Sequence, residues 1–124
     1  MLNYAKMNPI QAGALAQANF EAAIKEMQPD YNIVSTFAGD FAIADACGIE
    51  AVKSTFEVSF KNFKHDVYMM AEMSLVLNWA IWRYWELHNQ ELSLLYDEIW
   101  HECDNWCMDN FNGDELQFYL QVTD

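Results

Sequence analysis

The chain has 124 residues, 53% of them apolar, with five tryptophans and a net charge of −13. That length and apolar content suffice for one domain with its own core, and they exclude a disordered acidic chain, which would lack aromatic residues. Nineteen carboxylates against six lysines and arginines exclude a nucleic-acid reader, because such binding requires phosphates to be neutralised. They also disfavour docking on an anionic membrane.

Three cysteines are an odd number, and Cys103 and Cys107 stand one helical turn apart with nearly parallel side chains, a poor arrangement for a disulfide. A reduced, cytoplasmic protein is expected. The N-terminal residues lack the apolar run of a secretory signal. The longest apolar stretch, Val67 to Leu87, is interrupted by Glu72, Asn78 and Arg83 and reads as a soluble core helix, not a membrane span.

In chain order, Pro9 opens a first, Ala-rich helix that runs to about Met27, with Phe20, Ile24 and Met27 on one side. Pro29-Asp30 ends it. Tyr31 to Thr36 mixes β-branched and aromatic residues and suits a short strand. A short helix near Asp40 follows, closed by Gly48. Ile49, Val52, Phe56, Phe60 and Phe63 then recur at steps of three and four, one buried stripe of a helix. Asp66 is placed to cap a long helix reaching about His88. It is apolar almost all round, with a narrow wet strip expected through Glu72, Arg83 and Glu86, so it belongs in the middle of a bundle or in a subunit interface. Ala71, Ser74 and Asn78 line one side of it, where Asn78 would need a hydrogen-bond partner.

Asn89 or Gln90 opens the last long helix, and Gly113 is expected to close it. At 100° per residue, Leu92, Leu95, Tyr96, Ile99, Cys103, Trp106 and Cys107 share one face. Glu91, Glu98, Glu102 and Asp109 share the opposite one, with Asp97 and Asp104 beside it. The tail alternates through Leu116, Phe118, Leu120 and Val122 like a strand, yet Asp114-Glu115 also suits a helix start. The expected fold is mainly α: a single-domain bundle of four or five helices over residues 1–124, with short strands as options at 31–36 and in the tail.

Ser35-Thr36-Phe37 with Asp40-Phe41-Ala42-Ile43-Ala44-Asp45, Gly48-Ile49-Glu50-Ala51-Val52, Leu77-Asn78 with Trp82, Glu91-Leu92-Ser93-Leu94-Leu95-Tyr96 and Gly113-Asp114-Glu115-Leu116 occur together. The ensemble, from about Tyr31 to Asp124, resembles a family of small hypothetical proteins encoded on phages and conjugative elements of gut bacteria. The family has no assigned activity. The resemblance implies an accessory gene of a mobile element, a class that often acts against host defence or in conjugation.

From Glu86 to Asp124 there are ten carboxylates and no Lys or Arg. Six of them, Glu91, Asp97, Glu98, Glu102, Asp104 and Asp109, lie along one predicted helix at about one charge per 4.5 Å. A DNA strand carries about one phosphate per 3.4 Å. Such a face suits a basic nucleic-acid-binding groove on a host protein, although a solvated face that confers solubility has the same composition. His101, Cys103 and Cys107 do not converge on one metal ion, because His101 projects about 160° from Cys103. Buried thiols acting as small hydrophobes are the simpler reading. Glu98-x-x-His101 is half of a di-iron motif with no second copy. Ala44 to Ile49 resembles a helix-turn-helix only superficially. No nucleophile elbow or phosphate loop occurs.

Four tryptophans are expected in the core. Trp79 is the exception, one turn from Arg83, where it either stacks on the guanidinium or anchors a contact. The sequence therefore predicts a non-enzymatic, cofactor-free acidic inhibitor or decoy. Its expected partner-binding residues are Glu91, Asp97, Glu98, Glu102, Asp104, Asp109, Asp114, Glu115, Trp79 and Arg83, and its expected partner is a basic host effector of the CRISPR or restriction kind. The alternative is a structural or adaptor protein that forms a homodimer, or docks, through the apolar helix 66–88.

Overall fold

The computed structural model describes residues 3–27 and 37–123, and these hold six α-helices preceded by a 3-10 turn at Tyr4–Lys6. The helices are α1 (Pro9–Met27), α2 (Phe37–Cys47), α3 (Ile49–Phe63), α4 (Val67–Glu86), α5 (Gln90–Asn110) and α6 (Gly113–Thr123). The helical class is as expected, with six helices in place of four or five. The strand expected at 31–36 lies outside the described residues.

Alanines and glycines bring α1 and α2 together. Ala12, Ala16 and Ala42 are buried, and a Cβ on Gly39 would stand 3.1 Å from the Gly13 carbonyl oxygen. Larger side chains would hold the two helices further apart. Phe20 and Ile24 of α1 reach the main core, where they meet Phe37 and Phe41 of α2, Val52 and Phe56 of α3, and the buried side of α4. Only Gly48 separates α2 from α3. Its N–H donates to the Ala44 carbonyl (2.9 Å) and its own carbonyl accepts from Val52 (3.2 Å). A φ of 117° there favours glycine.

Asp66 caps α4 as predicted, accepting hydrogen bonds from the backbone N–H groups of Tyr68 (3.0 Å) and Met69 (3.2 Å). Asn89 caps α5 in the same way through Leu92. Between them α4 ends in a Schellman turn: His88 N–H donates to the Trp85 carbonyl and Asn89 N–H to the Tyr84 carbonyl. His88 occupies the left-handed position, φ 58°, where glycine is the usual residue. His88→Gly is therefore expected to stabilise the fold by about 0.5–1 kcal/mol, measured by urea unfolding.

Of the wet strip expected on α4 only Glu86 lies in solvent. Glu72 and Arg83 are buried, and Asn78, Trp82, Trp85 and Glu86 face outward. Asn78 thus needs no internal partner, and two tryptophans expected in the core are outside it. A helix apolar on every side carries little information about its phase, so packing decides it. Arg83 goes inside because aromatic faces receive it: its guanidinium lies 3.9 Å from the Tyr4 ring centroid and 5.0 Å from that of Trp79.

At the C-terminus one expectation changes and one open choice is decided. Helix α5 stops at Asn110, where Phe111 caps it through its N–H to the Cys107 carbonyl (3.0 Å) and buries its ring. Gly113, with φ 60°, begins the next helix instead of closing this one. The tail, for which the sequence offered both a strand and a helix start at Asp114-Glu115, is the helix α6. Tyr119 and Val122, three apart, form its buried side, and Asp114 and Glu115 sit in its first turn, where carboxylates favour the helix dipole.

Candidate partner-binding surface

Helix α5 is divided as its periodicity predicts. Leu92, Leu95, Tyr96, Ile99, Cys103 and Cys107 are buried and Trp106 is half-buried. Burial against α4 fixes the rotation of the rod. Glu91, Glu98, Glu102 and Asp109 are consequently exposed along its outer side. Asp97 is half-buried, 3.6 Å from His101 Nδ1. Asp104 is half-buried too and accepts a hydrogen bond from the Tyr119 hydroxyl at 2.6 Å, which ties α6 to α5. Its carboxylate is thus partly committed within the fold. Asp114 and Glu115 are exposed at the start of α6.

Among the described residues no lysine or arginine pairs with an α5 carboxylate, and the one Lys–carboxylate ion pair there joins Lys53 to Glu50 within α3 at 3.7 Å. Glu57 of α3 extends the acidic surface. With Glu98 and Glu102 it lines a groove of about 240 Å³ whose floor is Phe56, Leu95 and Ile99 and whose edge carries Lys53. Sequence reasoning missed Glu57. The available signal was its position one residue after Phe56 of the buried stripe.

Trp79 and Arg83 stand apart from the α5 carboxylates in kind. Trp79 is half-buried against Phe20 (5.3 Å between centroids) and Tyr4, and Arg83 is enclosed with it. Of the two roles the sequence offered Trp79, stacking on the guanidinium is the one its geometry displays. Cys103 and Cys107 are buried while His101 is exposed and bonded to the Asp97 carbonyl. The Cys103 thiol is pushed well up by its hydrogen bond with Cys107 and by burial.

One polar cluster escaped the sequence reading altogether. Asp45 of α2 is buried and accepts hydrogen bonds from Tyr84 of α4 (2.5 Å) and Tyr96 of α5. The two phenol rings stack, 5.9 Å apart and 4° from parallel. The spacing of Phe37, Phe41 and Asp45 was the signal: the acid continues the apolar stripe of α2 by one more turn. The cluster joins three helices, and burial denies it to any large ligand.

Comparison with protein-family models, with curated proteins and with solved structures finds no match to this chain.

Proposed function

We propose that the protein is a non-catalytic acidic inhibitor or decoy that occupies a basic, nucleic-acid-binding surface of another protein. The single observation that carries this is the row Glu91, Glu98, Glu102 and Asp109, exposed on one rigid helix with no lysine or arginine partner among the described residues. Unneutralised carboxylates fixed on a helix keep their field, which steers cationic partners and repels phosphates. The groove beside Glu57 gives the same surface some relief. Taken with the resemblance to genes of mobile elements, the favoured target is a host defence protein such as a CRISPR effector or a restriction enzyme.

The test is capture from host lysate at low and high salt, followed by a competition assay of the captured protein with its nucleic acid. Charge reversal at Glu98→Lys with Glu102→Lys is expected to lower the affinity at least about tenfold at low salt. Both side chains are exposed, so the circular dichroism spectrum stays that of the parent. Undiminished binding by this double variant rejects the face. A captured protein that still binds nucleic acid at full affinity rejects the decoy mechanism.

The adaptor reading has less surface to draw on. Most of α4, including Val67, Met70 to Leu77, Ala80 and Tyr84, is buried within the chain itself. Its large exposed aromatics are Tyr68, Trp82 and Trp85.

A further inference from the structure

We propose that Trp82 and Trp85 form an aromatic ledge that stacks arginine side chains of a basic protein segment. The inference rests on the acidic-binder reading above and adds to it the kind of cation and the place it docks.

Trp82 and Trp85 are 61% and 60% exposed, on a helix that otherwise buries most of its apolar residues. A spacing of three puts both indoles on one face, and Glu86 joins them one turn from Trp82. The first turn of α5 lies alongside, because Ser93 Oγ donates to the Ile81 carbonyl at 2.9 Å. That turn adds exposed Gln90, Glu91 and Leu94. Trp85, His88 and Gln90 line a depression of about 360 Å³. Among the described residues, Glu86 and Glu91 are the exposed charges here, since Arg83 is turned inward under Tyr4 and Trp79.

Charge selects the occupant. A second copy would bring another −13 to the same place, and a nucleic acid or an anionic lipid would bring phosphates; all are repelled. A cation is attracted, and among cations a guanidinium is the better match. It is planar and weakly hydrated, and it stacks on indole while offering donors to a carboxylate at the rim. An ammonium keeps its water more strongly. Arg83 over Tyr4 and Trp79 is the same contact made within the chain.

The experiment titrates the whole protein with nona-arginine and with nona-lysine by calorimetry at low and moderate salt. The expected result is that nona-arginine binds about fivefold or more tightly than nona-lysine. Trp82→Ala with Trp85→Ala should remove that preference and leave nona-lysine affinity unchanged, whereas Glu98→Lys with Glu102→Lys should weaken both peptides. Equal affinities in the parent, a preference that survives in the tryptophan variant, or equal weakening of both peptides by that variant overturns the ledge. If nona-lysine binding depends on Glu98 and Glu102 but no tryptophan effect appears, the acidic face stands and the ledge falls. If neither peptide binds at low salt, both readings fall.

Discussion

Replacing Tyr84 and Tyr96 together by phenylalanine should lower stability by about 3–5 kcal/mol at pH 7.5, and by clearly less near pH 5. Removing both hydroxyls leaves Asp45 buried with neither phenol donor, and a carboxylate so placed is much more costly than a carboxylic acid. In the parent chain burial pushes Asp45 up from 3.8 to about 6, while Tyr84, Tyr96 and the charge of Arg83 pull it back. The folded state therefore holds this proton more tightly than the unfolded state does. Its contribution is complete below about pH 3.8 and is lost as pH rises through about 6. A shift of that size corresponds to about 3 kcal/mol. Near pH 5 Asp45 is largely protonated in either folded protein, so the phenylalanine variant loses hydrogen bonds to a neutral acid only. Urea unfolding at the two pH values measures the difference. Asp45→Asn should flatten the fall in stability between pH 4 and 6. An equal loss at both pH values in the double phenylalanine variant would mean that the hydroxyls do not serve the charge.

Tyr4→Ala should cost about 3–5 kcal/mol, although Tyr4 lies in a 3-10 turn ahead of the first long helix. The ring is 1% exposed and packs with Ala12, Ala16 and Ala42. It also roofs Arg83 and tilts against Trp79 at 6.3 Å. Truncation opens a cavity beside the α1–α2 crossing and takes away one of the two aromatic faces that receive the guanidinium. Tyr4→Phe keeps the ring and gives up only the hydrogen bond from Asn19 Nδ2 (3.1 Å), at about 1 kcal/mol. Thermal or urea unfolding of the two variants separates the roles. Similar small losses for both would show that the N-terminal turn adds little to the fold.

How legible the molecule was depended on how strongly each helix is amphipathic. In α3 and α5 the apolar stripe is narrow and the opposite side polar, so the buried faces, and with them the exposed Glu91, Glu98, Glu102 and Asp109, were readable from spacing. In α4 the apolar residues go all round. There Glu72 and Arg83 were mistaken for the outside, and Trp82 and Trp85 for the core, while Glu86 was read correctly. In α6 a two-residue alternation, Leu116 to Val122, concealed Tyr119 and Val122 three apart, because short segments satisfy both periods.

Sequence alone determined the helical class, the capping residue Asp66, the start of α5 to within Asn89 or Gln90, the acidic outer side of α5 and the overall sign of charge. These are local or additive properties: a cap needs its own next turn, a stripe needs its own helix, and net charge is a sum. Tertiary structure decided that Arg83 is stacked inside, that Asp45 is held by two tyrosines from 39 and 51 residues away, and that Trp82 and Trp85 are left in solvent. Each of these depends on which surfaces of different helices meet, and close packing across the core settles that for many side chains at once.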